Sequence, residues 1–315
     1  MTIREALAQG SADLKFAEIK TPGLDASVLL SHVLKKSRTE LLASSAQTLS
    51  EKTCEEYCAL IERRCFGECA AYLTGKKEFR GLEFKVNHSV LVPRPDTETL
   101  VEEALKILSE RFSKSSGTND KKTKINSAEC KIKVLDLCTG CGAVAIAIKY
   151  EIPETFVHAA DISAQALDVA KENAAILLGE DKIKFYQGDL FDVIPVSGAS
   201  LKISGSAPDT LCRDFDIIVS NPPYIPSGEI QTLSAEVQNE PRIALDGGES
   251  GLEIIKRIID KSQNYLKNSG ALLMEADPMQ MEQIKKLLEK KGFTKIKTYN
   301  DLSSSERVIG GIYEK

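Results

Sequence analysis

The sequence predicts an α/β protein: a doubly wound, mostly parallel sheet of seven strands closing in a C-terminal antiparallel hairpin, with a small helical domain in front. Three observations predict it. From Lys131 onward, short apolar runs alternate with amphipathic stretches, the rhythm of strands interleaved with helices on both faces of a parallel sheet. The first of these strands leads through Asp136 into a glycine loop, and a later one stops abruptly at Asn221-Pro222-Pro223-Tyr224. Residues 1 to about 75 carry helical spacing with short polar breaks.

Residues 1–75 read as a helical bundle, either a structural cap or a grip on a macromolecular partner. Val28, Leu29, Leu30 and Val33 mark one helix, and Leu41 and Leu42 begin a short apolar piece. Ser50 to Cys69 reads as a longer amphipathic helix with Ser50 at its N-cap and Glu51 in its first turn. Residues 76–130 read as a β-hairpin, a linker helix and a polar insertion. The alternating stretch Glu78 to Val86 is expected to pair with Val90-Leu91-Val92. Asp96 or Thr97 is placed to cap the helix that buries Leu100, Val101, Ala104, Leu105 and Leu108. Residues 113–130 and 195–212 are polar, without periodicity, and read as surface insertions.

Residues 131–315 form the main domain. Its strands are expected at 131–137, 156–161, 182–187, 215–220, 271–275, 294–299 and 308–313. The helices between them are expected at 143–150, 163–178, 252–266 and 279–290.

At 315 residues, with 42% apolar and 28% charged residues, the composition is that of a soluble globular protein. The net charge of −5 argues against affinity built on nucleic-acid phosphates. No apolar run reaches membrane-spanning length, and the first residues lack a basic-then-apolar signal layout. The expectation is a cytoplasmic monomer with no nucleic acid and no membrane as direct partner. Eight scattered cysteines read as reduced thiols. Cys54, Cys58, Cys65 and Cys69 fit a packed helix face better than a metal site, so no metal is expected.

Two motifs carry chemistry. Gly140-x-Gly142-x-x-Ala145, with Asp161 some twenty residues on, fits a dinucleotide fingerprint. Yet Asp136 at the end of the preceding strand sits awkwardly beside a pyrophosphate. It suits a ligand with a cationic centre and no phosphates. Asp161 and Asp189 end the next two strands. Asp161 is placed to accept from two ribose hydroxyls, and Asp189 to touch an adenine amine. Cys138-x-x-Cys141 also has the spacing of a redox pair.

In Asn221-Pro222-Pro223-Tyr224 the prolines end the ladder and leave carbonyls unused. The Asn221 side-chain oxygen and the Pro222 carbonyl can accept the two hydrogens of a planar –NH2 group, with the Tyr224 ring over its face.

Asp136-x-x-x-Gly140-x-Gly142 resembles the first motif of S-adenosylmethionine methyltransferases with a Rossmann-like sheet. Asn221-Pro222-Pro223-Tyr224 resembles the motif of members that modify planar nitrogens. Further segments are Phe79-Arg80-Gly81, Leu91 to Glu98 with its Pro93-Arg94-Pro95-Asp96-Thr97-Glu98, and Glu236-Val237-x-x-Glu240-Pro241-x-x-Ala244-Leu245-x-Gly247-Gly248. Together they resemble the protein-glutamine N5-methyltransferase family, and within it the members that methylate class I peptide-chain release factors at a Gly-Gly-Gln glutamine.

The resemblance implies S-adenosyl-L-methionine as cofactor, held by Asp136, Cys138, Thr139, Gly140, Cys141, Gly142, Asp161, Asp189, Leu190 and Asn221. It implies Asn221, Pro222 and Tyr224 as catalytic residues, with Pro223 joining them on the substrate. Cys138 stands where the family usually has glycine; it is expected to be tolerated with a negative φ. Glu275-Ala276-Asp277 stands where the family tends to have Glu-Ile-Gly. A DNA adenine methyltransferase would share Asn-Pro-Pro-Tyr but needs a sizeable basic region. An enzyme acting on a ribosomal-protein glutamine would share the chemistry, and a nicotinamide-binding dehydrogenase would share the glycine loop. A non-enzymatic helical adaptor would have no use for an intact Asn-Pro-Pro-Tyr.

Overall fold

The computed structural model describes residues 1–115, 132–194 and 215–314. The chain opens with five helices: α1 (Ile3–Phe16), α2 (Pro22–Leu34), α3 (Arg38–Ala43), α4 (Glu51–Cys65) and α5 (Ala70–Thr74). Thr2 starts α1 with a capping box: its hydroxyl accepts from Glu5 N, and its own N–H donates to the Glu5 carboxylate. Ile3, Leu14, Leu29, Leu30, Leu41, Tyr57 and Ile61 form the bundle core.

Helix α4 ends at Cys65 rather than Cys69, because the chain turns at Gly67 with a φ of +90°. The cysteine stripe is correspondingly narrower than its spacing implies. Cys54 and Cys65 pack at the edge of the bundle core, Cys58 is exposed, and Cys69 belongs to a different cluster. Tyr57, Ile61 and Arg64 define the buried face instead.

Strands β1 (Lys76–Phe79) and β2 (Leu82–Lys85) pair antiparallel. The alternating stretch thus folds on itself, turning at Arg80 and Gly81, both with positive φ. Val90-Leu91-Val92 forms no strand, because its backbone serves other partners: Tyr72 Oη donates to Val90 O, and Val92 N donates to Glu240.

Helix α6 (Thr97–Ser115) begins directly after Asp96 and runs to Ser115, so the first three residues of the expected insertion at 113–130 are helical. The rest of that insertion, and all of 195–212, lies outside the described residues. Leu100, Val101, Ala104 and Leu108 are fully buried on α6, a stripe contributing about 1.5–3 kcal/mol for each large side chain.

The main sheet has seven strands: β3 (Lys133–Leu137), β4 (Phe156–Asp161), β5 (Ile183–Gln187), β6 (Phe215–Ser220), β7 (Leu266–Glu275), β8 (Phe293–Asn300) and β9 (Glu306–Tyr313). Their spatial order is β5-β4-β3-β6-β7-β9-β8. The first five are parallel, and β9 enters antiparallel between β7 and β8. All six residues of β6 are buried, as a strand covered on both faces requires.

Helices α7 (Ala143–Glu151) and α8 (Ala164–Leu178) join α6 in one core cluster with Val134, Ile217 and Leu273. Helices α11 (Glu253–Ser262) and α12 (Met281–Lys290) cover the other face over Leu135, Ile218 and Leu272. Helix α11 stops four residues short of the expected Leu266. The chain turns at 263–265, and Tyr265 O accepts from Phe215 N. Strand β7 therefore starts at Leu266, five residues before the expected Ala271, with Lys267 to Ser269 carried in an irregular stretch. Between β6 and α11 lie two short helices, α9 (Ala235–Gln238) and α10 (Arg242–Leu245).

A buried cation fastens the bundle to this connection. Arg64 Nε donates to Asp25 Oδ2 at 2.8 Å, and its Nη2 pairs with Glu236 on α9. Asn239 Nδ2 donates to Gly67 O at 3.1 Å. Among the described residues no helix is long and apolar enough to cross a membrane.

Candidate active site

The chain runs outward from β3 to β5 and then returns to β6 beside β3. Such a reversal leaves a crevice at the carboxyl ends of the strands. A cavity of about 520 Å³ lies there. Asp136, Cys138, Thr139, Gly140, Cys141, Asp161, Asp189, Leu190, Asn221 and Pro223 line it. Gly142, Pro222 and Tyr224 do not.

Asp136 is buried, and its Oδ2 accepts from Thr139 Oγ1 at 2.6 Å and Ala145 N at 3.2 Å. Burial, with the Asp161 charge nearby, pushes its carboxyl up to about 7. Asp161 holds the loop: Oδ2 accepts Gly140 N–H at 2.8 Å and Oδ1 accepts Ser163 N–H at 2.9 Å. Its pKa is also raised, by burial, against the pull of those amides. Asp189 is paired with Arg257 of α11 at 2.6 Å. Arg257 lines the same cavity, a partner for Asp189 that no local spacing announces.

Cys138 has a φ of +59°, not the negative value expected for it. The loop needs a left-handed residue at this point, and cysteine supplies it against the steric preference of an L-residue. Gly140 is left-handed too, with open space where a Cβ would lie. Gly142 serves packing: a Cβ there would stand 2.9 Å from Ile146 Cδ1 and 3.3 Å from the Ala170 side chain on α8. Cys138 and Cys141 are free thiols. Burial raises both, Cys141 to about 12, so neither offers the thiolate a redox pair uses.

The loop after β6 is extended, so successive side chains point to opposite sides. Asn221 and Pro223 face the cavity. Pro222 is buried, and Tyr224 turns away to donate its hydroxyl to Glu275 Oε1 at 3.3 Å. Asn221 Nδ2 donates to Thr97 Oγ1 at 3.1 Å. Among the described residues, no hydrogen bond ends on Asn221 Oδ1 or on the Pro222 carbonyl.

The segments without a role in the sequence surround this loop. Thr97 and Pro93 line the cavity, Arg94 pairs with Glu240 at 2.5 Å, and Asp96 pairs with Arg307 at 3.4 Å. Arg242, Ile243, Ala244 and Asp246 form a further wall, and Ile225 bridges to Asp246. The motif segments pointed to these residues; nothing in the spacing revealed who pairs with whom.

The fold and the crevice are those of a doubly wound α/β protein with a ligand site at its strand ends, and the family models name the class as methyltransferase. The family described as "Methyltransferase domain" matches residues 128–309, and "PrmC N-terminal domain" matches residues 5–75. The catalytic domain of hMettl16 aligns with a TM-score of 0.50 at 14% identity, covering 81% of each chain, which is a likeness of fold.

The release factor glutamine methyltransferase of Clostridium acetobutylicum is 34% identical over 98% of both chains. That of Coxiella burnetii is 37% identical over 98% of both. The chain belongs to the release factor glutamine methyltransferase family.

Proposed function

We propose that this protein transfers a methyl group from S-adenosylmethionine to the side-chain amide nitrogen of a glutamine, that of the Gly-Gly-Gln loop in class I peptide-chain release factors, as a cytoplasmic enzyme. The observation that carries the reading is the pair of uncommitted acceptors, Asn221 Oδ1 and the Pro222 carbonyl, at the edge of an acid-lined cavity.

The residues present fit the cofactor. Asp161 already takes the Gly140 and Ser163 N–H groups, the donors that a pyrophosphate would otherwise use. Arg257 and Arg242 also line the cavity but are paired with Asp189 and Asp246, so among the described residues the charges left there without a counter-ion are those of Asp136 and Asp161, which favour a cation. When bound, S-adenosylmethionine supplies an electrophilic methyl group on a sulfonium. Asp136 would face its charged part, Asp161 its ribose hydroxyls and Asp189 its adenine amine, and Asn221 would border the methyl group.

An amide nitrogen is a poor nucleophile because its lone pair is delocalised into the carbonyl. Asn221 Oδ1 and the Pro222 carbonyl accept its two hydrogens and turn the lone pair toward the cavity. These acceptors are fixed before reaction, so the effect is positioning and preorganised dipole. Positive charge grows on the nitrogen during transfer, so both hydrogen bonds strengthen there, and one of the two hydrogens leaves as a proton to solvent afterwards. The Tyr224 ring, expected over the amide face, does not line the cavity; its hydroxyl is on Glu275. The bundle of α1–α5 offers the second surface for a protein substrate.

The test is methyl transfer to a purified bacterial release factor, read by peptide mass spectrometry. One methyl group on the Gly-Gly-Gln glutamine is the expected result. Cofactor binding without transfer would move the substrate to a ribosomal protein or a nucleic acid.

A further inference from the structure

Behind the Asn221 loop lies a buried carboxylate with unfinished hydrogen bonding. Glu275, the last residue of β7, is 1% exposed. Its Oε1 accepts from the Tyr224 hydroxyl, and its Oε2 has no hydrogen-bond partner among the described residues. Burial pushes its carboxyl up to about 7, while the Thr97 hydroxyl and the Arg307 charge favour the ionised form. Thr97 is itself buried, and its oxygen already accepts Asn221 Nδ2. A hydroxyl that accepts one bond still has its own hydrogen to place. The Glu275 carboxylate, which the Thr97 hydroxyl stabilises and whose Oε2 is otherwise unpartnered, is the acceptor at hand.

We propose that Glu275 is a positioning residue for methyl transfer, fixing Asn221 through Thr97 at one end of the loop and Tyr224 directly at the other. The inference rests on the reading above, that Asn221 receives a substrate amide. An Asn side chain is nearly symmetric in shape. Its oxygen faces the substrate only if something on the other side requires the nitrogen. Thr97 imposes that choice when its own hydrogen is committed to Glu275, which leaves only a lone pair for Asn221. A negative charge at the end of the chain also polarises each bond in it. Asn221 Oδ1 becomes a stronger acceptor for the hydrogens of the reacting nitrogen. Glu275 touches neither substrate nor cofactor in this arrangement, so its effect belongs to the rate and not to binding.

The experiment compares wild type with Glu275→Gln, Thr97→Val and Thr97→Ser. It measures kcat and KM for methylation of a purified release factor and the affinity for S-adenosylmethionine on the same preparations. Glu275→Gln keeps shape and loses charge, and is expected to lower kcat about tenfold, the effect of weakening one charge-assisted hydrogen bond. KM and cofactor affinity stay in place. Thr97→Val is expected to fall as far, and Thr97→Ser, which retains the hydroxyl, to recover most of that loss. A Glu275→Gln enzyme with wild-type kcat overturns the proposal, as does a loss carried by KM or cofactor affinity. Should Glu275→Gln fail to fold, the threonine pair decides: Thr97→Val at wild-type kcat, or Thr97→Ser as slow as Thr97→Val, overturns it. Wild type that binds cofactor and methylates nothing would overturn the functional reading and this inference together.

Discussion

The Asn221 side-chain nitrogen donates to the Thr97 hydroxyl at 3.1 Å, joining two residues 124 positions apart in the chain. With the nitrogen on Thr97, the asparagine oxygen is the end left for the cavity. The bond also ties the loop after β6 to the first residue of α6, and so to a helix packed against β6, β7 and β9.

If Asn221 orients the reacting amide, Asn221→Ala should lower kcat by about 100- to 1,000-fold, the range for removing one preorganised polar contact to a transition state. Cofactor affinity should change far less, because Asp136 and Asp161 remain. Calorimetry and steady-state assays on the same preparation check this. Unaltered turnover would remove Asn221 from the chemistry.

Asp136 gives a pH dependence with a definite sign. Its pKa is raised from 3.8 to about 7 in the fold. Ionising it in the folded protein therefore carries a penalty that is absent at low pH, sets in as pH rises from the unfolded value, and is complete above about 7. A bound cation relieves that penalty. Affinity for S-adenosylmethionine should thus be about tenfold weaker at pH 6 than at pH 8, and Asp136→Asn should flatten the profile while weakening binding at high pH. Equal wild-type affinity at both values would count against an ionised Asp136 facing the ligand.

Cys138 holds a left-handed φ that costs an L-residue about 1–2 kcal/mol, whereas glycine brings only about 0.5–1 kcal/mol of extra chain entropy. Cys138→Gly should leave the melting temperature unchanged or higher. Cys138→Val, branched at the Cβ, should lower it. Differential scanning calorimetry separates the two, and a destabilised glycine variant would show that the thiol packing outweighs the backbone strain.

Arg64 should matter for stability out of proportion to its distance from the cavity. Arg64→Ala strands the buried Asp25 carboxylate, a loss of about 3–5 kcal/mol in urea titration. Asp25→Ala in the same chain should recover part of it, since the stranded charge is then gone. An Arg64→Ala protein of wild-type stability would mean that water reaches Asp25.

The order of strands and helices was legible in the sequence because period and composition are local properties: β4 falls on 156–161 as the apolar rhythm places it, and α8 within one residue of the expected 163–178. The acids at the strand ends and the Asn-Pro-Pro-Tyr stop were legible for the same reason, since each motif lies within a few consecutive residues. Elements misplaced by the sequence failed at turns. Arg80-Gly81 folded a strand in half, and Lys267 to Ser269 were kept inside one.

What only the tertiary structure decided is how distant residues pair. Nothing in the local sequence says that Thr97 meets Asn221, that Tyr224 turns to Glu275 rather than into the cavity, that Arg257 pairs with Asp189, or that Cys138 takes a positive φ. The sequence supplied the donors, acceptors and charges. Which of them meet is set by the stacking of strands and helices around the crevice, because hydrogen bonds act over about 3 Å in space and take no account of distance along the chain.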